Sequence, residues 1–254
     1  MISVDSTGVA GSEAQRLGRE RKVVSTMQGW RMALGAAAAL LMLIGIGMAF
    51  FYAPTERVQG NAQRIFYFHV PLAWVAYLAF FLVLVGSIGY LWKRRAAWDT
   101  LAHASAEIGL VLTSLVLVTG ALWGKTVWGT WWTWDPRLTA TLVLWFIYLG
   151  YLMIRQFATQ PERGRRMAAV LGIIGFIDVP IVHQSVVWWR SLHPEPVVLN
   201  SQGPQLPGTM LVTLLVNLLA FTVLYAFLLV TRIRVANLEA AVAEEKRQAA
   251  LLND

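Results

Sequence analysis

Trp123-Gly124-Lys125-Thr126-Val127-Trp128-Gly129-Thr130-Trp131-Trp132-Thr133-Trp134-Asp135-Pro136-Arg137 lies between two apolar segments, each long enough to cross a bilayer. Five tryptophans fall within twelve residues. Tryptophan is costly to leave in water and awkward to bury, because its indole N–H needs a partner. Membrane proteins carry aromatic belts at their interfaces, but belts spread one or two aromatics over each helix end. A concentration of this kind in one short connection reads as a platform at the membrane surface for something large, flat and apolar.

The apolar segments on either side set the fold. The chain has 254 residues, 57% hydrophobic and 14% charged, too apolar and too poor in charge for an ordinary soluble domain. A helix crosses the hydrocarbon core with about 20 mostly apolar residues. Six segments qualify: Trp30–Tyr52, Ile65–Trp92, Leu101–Trp123, Leu138–Ile154, Met167–Val187 and Thr209–Val230. The expectation is an all-α integral membrane bundle of six transmembrane helices, residues 30–230. A polar, disordered segment precedes it (1–29) and an amphipathic tail follows it (231–254). The first apolar run reads as a retained helix and not as a cleaved signal peptide.

Orientation follows from lysine and arginine. Sixteen of the 21 basic residues fall on the side of the two termini and the loops with Lys93-Arg94-Arg95 and Arg155–Arg166. Arg57, Arg64, Lys125, Arg137 and Arg190 make up the other side. Both termini are therefore expected in the cytoplasm, with three outward loops: Ala53–Arg64, Gly124–Arg137 and Trp188–Gly208. The net charge of +7 is placed as topology signals are, which argues against a nucleic-acid partner and for the lipid bilayer. With no cysteine there is no disulfide, thiolate metal site or cysteine nucleophile. No Walker A or dinucleotide fingerprint occurs.

The outward face gathers the candidate site. If Trp128 to Asp135 is helical, Trp128, Trp131, Trp132 and Asp135 share one face, with Trp134 and Trp123 pointing elsewhere and Lys125 and Arg137 flanking. His69 lies at the outward end of span two and His193 just beyond span five. Either imidazole alone is better explained by interfacial hydrogen bonding. Together, from separate elements on one side, they are suited to axial ligation of a porphyrin iron. Arg64, Arg137, Arg190 and Lys125 are candidates for a porphyrin's propionates, since cations match carboxylates; each is equally a snorkelling interfacial charge. His183 and Asp178 lie within span five, where polar groups are expected to pair inside the bundle. His103 and Glu107, at i and i+4 in span three, offer too few ligands for a metal.

The run Trp128 to Thr139 resembles the tryptophan-rich WWD signature of the haem-handling superfamily, membrane proteins of cytochrome c assembly. The stretches Gln59–Pro71 and Pro180–His193 resemble two further segments of it. With six spans and this length, the chain resembles the CcmC branch, the haem exporter subunits, from roughly Trp30 to Val230. The resemblance implies non-covalent haem b held at the periplasmic face of the bacterial inner membrane. His69 and His193 would be axial ligands, and Trp128, Trp131, Trp132, Trp134 and Asp135 the platform. It also implies presentation of that haem to the periplasmic chaperone CcmE, with the ABC transporter subunits CcmA and CcmB and the small membrane subunit CcmD, in a handling role and not as an enzyme. Pro194-Glu195-Pro196 departs from the pattern, which bears on the direction of the third outward loop. Three alternatives are weighed against this reading. A haem lyase of the same superfamily would be longer, with more spans and histidines. A b-type electron-transfer cytochrome would place paired histidines within its spans. A solute transporter would need a midplane site, for which Asp178 and His183 are the candidates.

Overall fold

The computed structural model describes residues 28–194, 198, 203 and 205–253. All but the last two residues of the polar N-terminal segment, Glu195-Pro196 and Asp254 lie outside the described residues. Six helices are long and apolar enough to span a membrane: α1 Gln28–Tyr52, α2 Phe66–Lys93, α3 Ala96–Trp128, α4 Pro136–Phe157, α5 Pro161–Trp188 and α6 Gly208–Asn253. Among the described residues no strand forms; one isolated bridge joins Glu56 to Gly60. The fold is an all-α bundle of six membrane-spanning helices.

The helices outrun the apolar segments that identify them. α3 starts five residues before Leu101 and ends five after Trp123, because a helical backbone keeps its own hydrogen bonds into the polar interface. α4 and α5 open on Pro136 and Pro161, where proline's missing N–H costs nothing and its φ already suits the first turn. α6 runs unbroken through the charged tail.

α2 is the central helix, packed on α3, α5 and α6, while α4 lies on α5 and α3. The α2–α3 hairpin is tight for a steric reason. A Cβ on Gly86 would sit 2.8 Å from the Trp98 carbonyl, and one on Gly89 would sit 2.5 Å from the Trp98 ring. Small residues permit this approach where lipid supplies no hydrophobic drive between helices. Phe80 of α2 stacks on Tyr148 of α4 with centroids 3.8 Å apart, in a core with Val83, Leu144, Tyr151 and Val182. α1 is tied to α6 through Asn217 Nδ2, which donates to the Gly45 carbonyl at 3.2 Å. Leu43, Val111, Phe146 and Ile177 stay exposed, as a lipid-facing surface requires.

Candidate functional site

The link from α1 to α2 is built around one carboxylate. Glu56 accepts the backbone N–H of Val58 at 2.7 Å and of Gln59 at 2.5 Å. Gly60, at φ 59°, turns the chain into a 3₁₀ turn, Asn61–Ile65, that runs into α2. Gln59 is thereby set to accept the indole N–H of Trp123 at 2.9 Å. The Trp123 ring in turn meets His69 edge-on, with centroids 5.7 Å apart.

His69 is nearly buried against α3. Its ring lies over Gly120, where a Cβ would stand 3.1 Å from Cε1. Its Nδ1 is 2.9 Å from Thr119 Oγ1. The Thr119 hydroxyl is itself directed at the Leu115 carbonyl, 2.7 Å away, as threonine does within helices. With its proton spent there, the oxygen accepts from Nδ1–H. This tautomer, assigned from the hydrogen-bond network, leaves the His69 Nε2 lone pair free for a Lewis acid.

The tryptophan loop is not helical. α3 stops at Trp128 because Gly129 takes φ 76°, a left-handed conformation natural to glycine. Lys125 donates to the Gly129 carbonyl at 2.9 Å. The common helical face expected for Trp128, Trp131, Trp132 and Asp135 therefore does not form. Trp128 and Trp132 line a cavity, whereas Trp131 and Trp134 are 56% and 76% exposed on the outer surface.

Asp135 joins two loops. Its Oδ1 caps α4 by accepting Arg137 N–H at 3.0 Å, and its Oδ2 accepts Leu192 N–H at 2.8 Å. That second bond holds the segment after α5 against the tryptophan loop and brings His193 to Trp128, with ring centroids 6.4 Å apart. Arg137 donates to the His183 carbonyl at 2.7 Å and lies 3.2 Å from His193 Nδ1. Burial, followed by the Arg137 guanidinium, pushes His193 down from an ordinary 6.5 to about 4, so it is neutral at physiological pH.

These elements enclose a cavity of about 830 Å³. His69 and His193 both line it, with Trp123, Trp128, Trp132 and Arg137. His183 also lines it, where pairing within the bundle was the default role expected from the sequence. Arg64 does not line it: its guanidinium donates to the Ala49 and Phe50 carbonyls at 2.5 and 2.6 Å, closing the end of α1. Lys125 and Arg190 are absent from the lining too. Trp74, Tyr77 and Arg57 are among the lining residues that the sequence did not single out. Tyr77, at i+8, was legible on the His69 side of α2, whereas Trp74, at i+5, falls about 140° round the helix from His69 and had no signal of this kind. Arg57 sits in the Glu56 turn and had no signal beyond its charge.

The donor set fits a haem. Two imidazoles from separate elements line one aromatic cavity, and Arg57 and Arg137, which line it too, are cations of the kind that suits carboxylates. Among the described residues no cluster of three or more histidine, aspartate or glutamate side chains forms a bare metal site.

Comparison with known proteins gives the family. The family model described as heme exporter protein C matches residues 13–248. The chain is 40% identical over 195 residues to the heme exporter protein C of Bradyrhizobium diazoefficiens, covering 77% of this chain and 74% of that protein. It is 38% identical over 197 residues to that of Haemophilus influenzae, covering 76% and 80%. It is 33% identical over 212 residues to a putative cytochrome c biosynthesis ccmC-like mitochondrial protein of Arabidopsis thaliana, covering 82% and 78%. The chain belongs to the heme exporter protein C family, CcmC.

Proposed function

We propose that this protein holds haem b, non-covalently, at the periplasmic face of the bacterial inner membrane and presents it to the chaperone CcmE during cytochrome c maturation. The observation that carries the reading is that His69 and His193, 124 positions apart, line one aromatic cavity. The names of the relatives, heme exporter protein C, support haem as the cargo. The lysine and arginine asymmetry supports a periplasmic site.

In this mechanism the iron is ligated by His69 Nε2 and His193. The macrocycle lies among Trp123, Trp128 and Trp132, where each aromatic contact adds about 0.5–1.5 kcal/mol beyond burial. Arg137 and Arg57 take the propionates. Trp131 and Trp134, exposed at the rim, face the incoming chaperone. Handover proceeds by exchange of an axial histidine within a ternary complex, so haem is never released to water. The protein is a handling component beside CcmA, CcmB and CcmD, and the covalent bond forms on the chaperone.

The test is the absorption spectrum and haem content of the detergent-purified protein and of the His69→Ala, His193→Ala double variant. Wild type carrying b-type haem that the double variant lacks supports the reading. A wild type that takes up no haem when haem is supplied makes the cavity a docking surface and removes the carrier role.

A further inference from the structure

α6 leaves the bundle at the end opposite the tryptophan loop. Arg232, bonded to Glu107 of α3 at 2.6 Å, is its last polar tie to another helix among the described residues. The helix then runs on to Asn253, about 30 Å further. Leu238 and Val242 are 56% and 49% exposed on this extension. Leu238 lies eleven residues after Phe227 and Val242 fifteen, close to three and four whole turns. Both therefore continue the flank of α6 that meets α1, where Phe227 packs over Gly35.

The packing of α1 decides what lies opposite that flank. A Cβ on Gly35 would stand 2.9 Å from the Phe227 ring, and one on Gly45 would stand 2.6 Å from Asn217 Oδ1. Ten residues along α1 are matched by ten back along α6, an antiparallel register. The contact line on α1 passes through Ala38 and Ala49, 2% and 0% exposed. A seam between packed helices returns every seven residues. Val24 lies two heptads before Ala38 and Leu17 three, so a helix continued backwards keeps both on this line. The register then sets Val24 level with Leu238 and Leu17 level with Glu245, with Val242 between them.

The charges on the two stretches are opposite. Residues 16–22 carry Arg16, Arg19, Arg21 and Lys22 against Glu20 alone. Residues 238–245 carry Glu239, Glu244 and Glu245 and no base. Arg21 comes within two residues of the level of Glu239, on the same side of the seam, and Arg16 within one of the level of Glu245. Among the described residues Glu239 is held only by Arg232, at 3.4 Å on the exposed surface, and Glu245 has no ion pair. Flanking charges of this kind set the partner and the direction of a helix pair more than its strength.

We propose that residues 16–27 extend α1 backwards as a helix and close on the α6 extension. Leu17 and Val24 pack on Leu238 and Val242, with Arg21 beside Glu239 and Arg16 beside Glu245. A helix this short is marginal alone in water, but its tether at Gln28 makes the contact intramolecular, at an effective concentration in the millimolar range. The two ends of the chain thereby form one antiparallel two-helix stalk.

The chain has no cysteine, so introduced pairs report without background. The full-length protein in membrane vesicles is oxidised with copper phenanthroline in three variants. Two are in register: Val24→Cys with Leu238→Cys, and Leu17→Cys with Glu245→Cys. The third, Leu17→Cys with Leu238→Cys, is about 10 Å out of register, beyond the roughly 7 Å between Cα atoms that a disulfide spans. Mass spectrometry of the monomer band is expected to show linked peptides for the in-register pairs, several-fold above the third. Adding Arg21→Glu to the Val24→Cys, Leu238→Cys protein is expected to lower the yield several-fold, and adding Glu239→Arg to that to restore it. Equal yields in and out of register, or no disulfide in either in-register pair, overturn the proposal. A disulfide found only at twice the monomer mass overturns it too and makes a second copy of the chain the occupant. A yield unmoved by Arg21→Glu overturns the pairing with Glu239.

Discussion

Thr119 Oγ1 stands 2.9 Å from His69 Nδ1 across the α2–α3 interface, and its own proton is directed at the Leu115 carbonyl. The relation fixes which imidazole nitrogen is free. Partners of this kind orient a ligating histidine and raise its basicity, and their loss typically costs 10–100-fold in metal affinity. Thr119→Val keeps the shape and removes the acceptor. Haem affinity, read by titration of the Soret band, is expected to fall by about that factor, whereas Thr119→Ser is expected to retain it. An unchanged affinity in Thr119→Val means that His69 is not held by this bond or does not bind iron.

Gly120 sets the space for the same ring. A Cβ would lie 3.1 Å from His69 Cε1, so Gly120→Ala requires a shift of a few tenths of an ångström. Gly120→Val adds bulk that the ring cannot avoid without leaving its position. The alanine variant is expected to bind haem more weakly, with a near-normal spectrum. The valine variant is expected to show the spectrum of His69→Ala while its thermal unfolding stays close to wild type. If valine binds haem normally, the iron is not reached from this rotamer.

The bundle was legible because six apolar runs of membrane length admit few other readings. Helix ends were not, since hydropathy marks where lipid stops and backbone hydrogen bonding continues: α3 runs on to Trp128. His69 and His193 could be chosen by side and by their aromatic neighbours. The orientation of the tryptophans could not, because it hangs on one backbone angle at Gly129. The role of Arg64 was equally hidden. Its carbonyl acceptors on Ala49 and Phe50 lie 15 and 14 positions away in sequence, and nothing in the charge pattern separates a cation that closes a helix from one awaiting a ligand.

Asp135 serves two N–H donors from opposite sides. An asparagine has one acceptor oxygen, and its amide would face a donor with a donor. Asp135→Asn is expected to keep the α4 cap and release Leu192, loosening His193 with modest loss of stability. Asp135→Ala loses the cap as well, at about 1 kcal/mol. Haem retention is expected to fall in both, and thermal stability chiefly in alanine. Equal haem retention in wild type and Asp135→Asn would show that the Leu192 bond does not position His193.

His193 gives the site a pH signature. Burial and then Arg137 hold it down from 6.5 to about 4, so the lone pair is available to iron well below neutrality. Axial ligation by His193 is expected to stay level from pH 8 to about 5 and to weaken below about 4, approaching tenfold per unit. Stability follows the same sign. Between 6.5 and about 4 the unfolded chain binds a proton that the folded site refuses, so this contribution is full above 6.5 and is lost as pH falls through that window. Arg137→Gln removes the second cause and should move the acid limb upward. A Soret titration against pH for wild type and Arg137→Gln measures it. A wild-type midpoint near 6.5 would mean that the imidazole is open to water, and an unmoved midpoint in the variant that burial alone sets the value.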